Sequence, residues 1–500
     1  MKLREVFCCS TAPSSAALGT GSITLHDIQT GTQLACFKQT SSAPHCIGVV
    51  QGGAGLGGLI LSVQSDKPIL NIYSFQKEQL HMRIVLPEKL SCMASDIFGR
   101  YFAGGTSTGR IYLWEIASGI LFNSFEAHYR QTNVLRFTTD GAALISGSED
   151  SGVSVWAMSH LLDNDKHHEM PTPYCSLPDH TLPITDIACG VGPFPSCRVL
   201  TSSLDNSCKL WDTSTKTLLS TFLFPRPISI VVLDPAERML FAASSDGFIH
   251  QVNLLTERKD HMGRNTSVME AVSGLSPSDV TRMDDNEQGS NLKRLITVGQ
   301  EILSMTLSMT GSILLIGTVT GHVHLYDVAS HQLLKTVNTH QSFRATHLST
   351  FIKPLDLVGH ITLGSTSHLD AMPVRPITSF HRIRDAAART AHGVPIMLPI
   401  SNDNVSIQPG KLPPYDLEAD HRYFFAQSSS AGASGQSLQI RVVELEAEVE
   451  NLRRNLSKAK GLNDSMWESV VNTVLKSDAA PLVNGNSAAH PAKRSKTKGL

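Results

Sequence analysis

Short runs of alternating apolar and polar residues recur through the first two thirds of the chain. They are GSITLHD (21–27), ILNIYSF (69–75), GRIYLWE (109–115), SGVSVWA (151–157), DNSCKLWD (205–212), GFIHQVN (247–253) and GHVHLYD (321–327). A period of two puts one face of each run toward a core, which is the pattern of a strand. Turns rich in Gly, Thr or Ser follow, as in DIQTGTQL and IASGIL, and another short strand comes after each. Aligned on one position, the runs place His26, Tyr73, Trp114, Trp156, Trp211, Val252 and Tyr326 at intervals of 47, 41, 42, 55, 41 and 74 residues. The two long intervals hold polar insertions, near 158–178 and 255–293. Without them, seven units of one period remain. The expected fold is all-β: seven four-stranded blades closing into a β-propeller over residues 1–355.

A ring needs a seam. REVFCCST (4–11) reads as a strand with no full strand before it, while ATHLSTFIKPL (345–355) follows the last unit. The pattern predicts that 345–355 returns to complete the first blade, which removes the edges an open ring would expose.

A base period of 41–47 residues is that of WD repeats. Two units carry the matching polar set: His128, Ser148, Asp150 and Trp156, and then His180, Ser203, Asp205 and Trp211. In such repeats a turn aspartate, a loop histidine, a strand hydroxyl and an indole hydrogen-bond within one blade. Serine, histidine and aspartate are also the parts of a hydrolase triad. A nucleophile would be unique and exposed, whereas this constellation occurs twice at matching positions, so the structural reading is preferred.

Composition adds boundaries. The chain has 500 residues, is 41% hydrophobic and 17% charged, and carries a formal net charge of −2, so any nucleic-acid contact must come from a local patch. No apolar run is long enough for a membrane helix, and the N-terminus lacks the form of a secretory signal. Nine scattered cysteines without a CxxC pair fit buried neutral thiols in a reducing compartment rather than disulfides or a zinc site. Cys208, on a strand with no second ligand near it, reads as core packing. No P-loop motif is present, and no cofactor is implied.

Residues 356–433 are rich in Pro, Gly, Ser and His and read as a linker, partly extended or disordered; the apolar pieces VPIMLPI and HRYFFAQ are the reason to expect some of it to pack as an extended segment across the ring. A helical segment is expected over 436–476. In LQIRVVELEAEVENLRRNL (438–456), Leu438, Leu445 and Leu452 occupy heptad d, and Val442, Val449 and Leu456 occupy a. β-branched a with Leu at d favours a parallel pair, and Arg441 opposite Glu446 and Glu448 opposite Arg453 are attractive in a homodimer. The same face also suits docking on the protein's own surface or on a partner. SMWESVVNTVLK reads as a second helix, with Ser465 and Glu468 forming a capping box and Trp467 as an anchor. The basic tail, 477–500, ends in Lys493, Arg494, Lys496 and Lys498. That run fits a nuclear import signal, a phosphate contact or a solvated end.

The segments EAHYRQTNVLRFTTDGAALISGSEDSGVSVW (126–156), HTLPITDIACG (180–190), VLTSSLDNSCKLWD (199–212) and LQIRVVELEAEVENLRRN (438–455) resemble the WD-repeat subunit family of the nuclear Rix–Ipi complex. Its animal equivalents are the WD-repeat partners of a proline-, glutamate- and leucine-rich scaffold. The resemblance covers about 1–355 and the helix at 438–456. It implies a non-catalytic scaffold in the nucleolus and nucleoplasm. Such a subunit works with scaffold and helical-repeat subunits, the pre-60S particle and the midasin ATPase, and supports removal of the second internal transcribed spacer. It leaves open a direct rRNA contact and a role in replication licensing on chromatin. The insertion at 255–293 departs from the family pattern. Two rival propeller classes fit less well. A ubiquitin-ligase receptor would carry W-D-x-R, but Trp211-Asp212 is followed by Thr213 and Ser214. A phosphoinositide-binding propeller would carry F-R-R-G, and SFRATH (342–347) has one arginine.

Overall fold

The computed structural model describes residues 4–13, 20–52, 55–163, 170–259, 265–271, 280–283, 293–339, 343–360, 374–385, 389, 392–393, 447, 449–458, 460–461 and 463–467. Seven sheets of four hydrogen-bonded strands follow one another along the chain, each antiparallel throughout its four-stranded core. Their innermost strands contact each other from blade to blade, which makes the sheets a ring around one axis. In blade one the innermost strand is Phe343–Ile352, the last of the propeller, and it pairs antiparallel with Glu5–Pro13. The seam predicted from 345–355 is therefore the observed closure.

The alternating pattern explains why these residues form blades. In blade five, Val199 and Trp211 face each other across two strands on one side, and Leu200 and Leu210 on the other. All four are buried, because each sheet is sandwiched between two neighbours and needs apolar residues on both faces. Seven core clusters lie in this arrangement, each built from residues of neighbouring sheets. Polar stitches run around the axis at matching places on the inner strands. Ser91 Oγ donates to the Thr132 carbonyl (2.7 Å), Asn133 Nδ2 to Ile184 (2.9 Å), Thr185 Oγ1 to Ile228 (2.8 Å) and Ser304 Oγ to Ala345 (2.8 Å). Each satisfies a carbonyl of the next blade, so the ring resists opening at these four joints.

The turns between the second and third strands repeat one backbone trick. Their fourth residue is left-handed at Gly109, Ser151, Asn206, Gly247 and Gly321, with φ from 64° to 88°. At Gly109 a Cβ would also stand 2.1 Å from the His128 carbonyl oxygen, so this position needs glycine for space as well as for φ.

Three boundaries differ from the sequence reading. The stretch 158–178 is not wholly an insertion: after the short helix Met158–Leu162 it supplies Cys175–Leu177, the outer strand of blade four. The stretch 255–293 contains the hairpin of Leu255–Lys259 and Asn265–Ala271. It also contains Val280–Arg282, which adds a parallel fifth strand to Thr217–Leu223 of blade five. Polar composition concealed both, because edge strands keep one flank in water and need no apolar alternation. Third, the part of the linker that is seen docked is not its apolar pieces: residues 374–385, with 389, 392 and 393, cross blade three as a strap, whereas VPIMLPI and HRYFFAQ lie outside the described residues.

Residues 401–500 form a second compact unit. Its described part is helical from 447 to 467. Val449, Leu452, Leu456 and Trp467 are exposed on it. Leu438, Val442, Leu445, Lys493, Arg494, Lys496 and Lys498 lie outside the described residues. Asn463 and Asp464 are helical, so Ser465 sits inside a helix instead of capping a new one. No helix among the described residues is long and apolar enough to cross a membrane.

Candidate functional site

Blades four and five carry the polar networks the sequence singled out, with one change in each. In blade four, Trp156 Nε1 donates to Ser146 Oγ (3.0 Å), Ser146 meets His128 Nε2 (2.8 Å), and His128 Nδ1 meets Asp150 Oδ2 (3.2 Å). In blade five the chain is Trp211 Nε1 to Thr201 Oγ1 (3.0 Å), Thr201 to His180 Nε2 (2.8 Å) and His180 Nδ1 to Asp205 Oδ2 (2.9 Å). An indole can only donate, so each hydroxyl accepts from it and passes its own proton to the histidine; the histidine then donates to the carboxylate.

The hydroxyl in each network is thus Ser146 or Thr201, and not Ser148 or Ser203. Trp156 lies opposite Leu144, with Ser146 two residues along the same face. Ser148 is four residues along, about 13 Å from the tryptophan's rung and out of indole reach. Ser148 and Ser203 have another task. Their hydroxyls accept from the backbone N–H of Asp150 and Asp205 (3.2 Å each) and donate to the loop carbonyls of Gln131 and Leu182. A hydroxyl fixes the same turn as Thr106, Ser244 and Thr318 in other blades. In register the network hydroxyl stands two residues along the second strand from the partner of its tryptophan, and there blades three, six and seven carry Gly104, Ala242 and Ile316. Blade two carries Ser62, which bonds to Thr40 and Ser42 and not to a histidine. The hydrolase reading of Ser203, His180 and Asp205 therefore lacks its nucleophile–base contact, and the two hydroxyls that do meet His180, Thr201 (2.8 Å) and Ser207 (3.3 Å), are buried.

What the networks do is fix loops. Asp150 Oδ2 also accepts from Tyr129 N (3.1 Å), and Asp205 Oδ2 from Thr181 N (3.2 Å). Burial opposes ionisation of Asp205, but hydrogen bonds from His180 and Ser207 outweigh it and hold the carboxyl well below the usual range. The loops so pinned present Tyr129 (99% exposed), Leu182 (47%) and, on the turn beside them, Leu204 (44%). Loops pinned in this way have little conformational entropy left to lose on contact.

On the axis, residues of different blades meet. Arg136 donates from Nε to the Ile187 carbonyl (3.1 Å) and from Nη2 to Asp186 Oδ1 (3.2 Å) and His45 Nδ1 (3.3 Å). Asp186 accepts from the backbone of Ile187 (2.8 Å) and Val231 (3.2 Å) as well. One ion pair therefore ties blades two, four, five and six. His347 of the closing strand stands nearby, and its Nε2 is buried without a partner. Burial, then the charges of Arg136 and His45, push it down to about 3.

This predicts acid sensitivity. His45, His128, His324 and His347 are all held below the ordinary histidine value, chiefly by burial. Such groups bind protons more readily when unfolded, so their contribution is complete above about pH 6.5 and is lost as pH falls toward the folded values. The slope is about 1.4 kcal/mol per pH unit for each histidine within its window. Asp205 adds a loss below about pH 3.9. Urea unfolding is expected to give lower stability at pH 5 than at pH 7.5, with His347→Gln flattening the slope by about one proton. Equal stability at the two pH values would contradict it.

All nine cysteines are free thiols, and Cys208 is fully buried in a core cluster. Burial pushes the Cys46 and Cys9 thiols up to about 12, so neither is a thiolate at neutral pH. No group of side chains suited to a metal ion is present among the described residues.

The strap completes blade three. Phe380 stacks on Trp114 (centroids 5.5 Å apart), Trp114 Nε1 donates to the His381 carbonyl (2.9 Å), and His381 N donates to the Gly119 carbonyl (2.8 Å). Arg389 lies over the Phe122 ring and donates to the Phe122 and Leu162 carbonyls; His392 Nε2 meets Glu115 Oε2 at 2.6 Å. No sequence period marked this segment, because its contacts are to one site each and not to a repeating face.

Seven four-stranded blades, a closing strand from the far end and indole–hydroxyl–histidine–aspartate networks define a WD-repeat propeller. Residues 119–157 and 171–212 match the family model described as WD domain, G-beta repeat. The chain belongs to the family of the pre-rRNA-processing protein IPI3. It is 33% identical to the protein of that name from Mycosarcoma maydis, over 93% of this chain and 96% of the relative. It is 31% identical to pre-rRNA-processing protein crb3/ipi3 of Schizosaccharomyces pombe, over 62% of this chain and 70% of the relative. It is also 29% identical to WD repeat-containing protein 18 of Bos taurus, over 86% and 90%.

Proposed function

We propose that this chain is a non-catalytic platform in pre-rRNA processing and large-subunit maturation, acting in the nucleus within a complex that binds pre-60S particles. The observation that carries this reading is its likeness to a pre-rRNA-processing protein across nearly its whole length, 93% of the chain. The propeller supports it: its buried histidines serve to fix loops, and those loops hold Tyr129, Leu182 and Leu204 toward solvent. The partners proposed are the scaffold and helical-repeat subunits of the Rix–Ipi complex and the midasin ATPase, which would supply the energy for remodelling.

The helical unit is proposed to tether the propeller. Its described helix runs on through Asn463 and Met466, where the heptad continues with Asn463 at a and Met466 at d. A polar residue at one a position sets register and pair number at some cost in stability. Val449, Leu452 and Leu456 are exposed on the same seam. Leu445→Asp with Leu452→Asp would place two charges in a dry seam, at a cost of several kcal/mol, and so is expected to weaken pairing by at least about a hundredfold. The propeller should melt unchanged. Full partner recovery with the double variant would sink the tether.

The deciding experiment is a sucrose gradient of nuclear extract containing the tagged chain, with sequencing of the co-migrating RNA. Large-subunit precursors carrying the second internal transcribed spacer are expected. Migration in a small RNA-free complex would reject the reading.

A further inference from the structure

The strap that caps Trp114 is also the most concentrated basic segment among the described residues of the propeller unit. Residues 374–393 hold four arginines, no lysine and one carboxylate, Asp385, in a chain whose net charge is −2. Arg382 is exposed and makes no hydrogen bond or ion pair among the described residues. Arg375 gives one nitrogen, Nη2, to the Phe98 carbonyl, while its Nη1 is buried without a partner. Arg384 is held below its ordinary value by burial, and Arg389 by burial and then by the charge of Arg384. Like charges this close repel each other.

Arg382 directly follows His381, whose backbone is clamped on both sides by Trp114 and Gly119. Arg382, Ile383 (80% exposed), Arg384 and Asp385 line an open depression beside His381. At the other end of the strap, Phe98 is 55% exposed and carries the Arg100 guanidinium over its ring at 5.1 Å. A flat ring with a cation against it is a platform on which a base stacks. Guanidinium forks fit phosphate oxygens in pairs, which ammonium groups do not.

We propose that the strap is an RNA-binding surface, with Arg382 and Arg384 on the phosphate backbone and Phe98, at the strap's other end beside Arg375, as a stacking platform. An acidic protein segment would satisfy the charges but has no use for the ring. The proposal deepens the function above by naming the polymer this surface takes.

The test is fluorescence anisotropy of a labelled 20-nucleotide oligouridylate with the full-length chain, from 50 to 200 mM KCl. The background carries Lys493, Arg494, Lys496 and Lys498 as alanine, which removes the tail's contribution. Arg382→Glu with Arg384→Glu is expected to weaken binding at least tenfold. The slope of log affinity against log salt should become shallower by about 1.4, the share of two phosphates on a single strand. The single variant Arg382→Gln, at an exposed position, should weaken binding in the same direction and leave the melting temperature unchanged. Phe98→Ala should weaken it with no change in slope. Unchanged affinity and slope in these variants would overturn the proposal, as would a polyglutamate peptide that binds in an Arg382-dependent way while RNA binding does not depend on Arg382. In either of those cases, continued co-sedimentation with large-subunit precursors would leave the proposed function standing; loss of co-sedimentation by the unmodified chain would reject that function separately.

Discussion

A chain ending at residue 342 is expected not to fold, whereas one ending at 360 should form the ring. Phe343–Ile352 supplies the inner strand of blade one along the whole of Glu5–Pro13. It also bridges to both neighbours. Thr350 Oγ1 donates to the Leu307 carbonyl of blade seven (2.7 Å), and the Phe351 ring stacks against Phe75 of blade two with centroids 5.6 Å apart. Removing the buried Phe351 and Leu348 side chains alone is worth about 5–10 kcal/mol, by analogy with truncation of such residues to alanine. That matches the whole net stability of an ordinary domain, roughly 5–15 kcal/mol, before the lost backbone ladder is counted. The unpaired Glu5–Pro13 would then offer a buried apolar strand, Val6 to Cys9, as an open edge for aggregation. The cut at 360 retains more than the strand. Asp356 Oδ2 accepts from Gly57 N (2.8 Å) and Gln76 Nε2 (2.9 Å), holding the chain's exit against blade two. Far-UV circular dichroism and urea titration of the two truncations decide the matter. Cooperative unfolding of 1–342 at a midpoint near that of 1–360 would show that the ring closes without its seam.

Both the seam and the blade count were legible because each rests on a pattern with many supporting positions. Seven strands with period two, spaced 41–47 residues apart outside the insertions, left little freedom in counting blades. The networks were legible in three members of four. Histidine, aspartate and tryptophan stand at loop and strand positions that only one geometry satisfies. The hydroxyl was ambiguous: Ser146 and Ser148 share a strand face, as do Thr201 and Ser203, and each member of a pair satisfies a different buried group. Counting back from the indole resolves it, since one diagonal step along the facing strand reaches position −10 and not −8. That same count would have shown that blades three, six and seven have no hydroxyl to offer. The strap and the parallel strand Val280–Arg282 were not legible. Each is held by a few specific contacts, so neither leaves a period to read.

The strap's contribution to blade three can be measured by Phe380→Ala. Trp114 is fully buried, like its counterparts in blades four and five, but Gly104 stands where they have Ser146 and Thr201. A side chain cannot simply be restored there, because a Cβ on Gly104 would lie 2.4 Å from Leu90 Cδ1. The indole N–H therefore takes its acceptor from outside the repeat, at the His381 carbonyl, and Phe380 seals the ring against water. Phe380 is 5% exposed and also meets Phe102, at 5.4 Å between centroids. Its truncation should cost about 3–5 kcal/mol for the cavity. If the strap then lifts, the unsatisfied indole adds about 1–3 kcal/mol. A fall in melting temperature of roughly 10 °C is expected. Tryptophan emission should shift to the red as Trp114 meets water, and that shift should vanish in a Trp114→Phe background. Chain ending at 360 should reproduce both changes, since it lacks the strap altogether. A Phe380→Ala protein that melts within about 2 °C of the unmodified chain, with unshifted emission, would mean that blade three is complete without its strap. The docked arginines would then have no fixed base from which to reach a ligand.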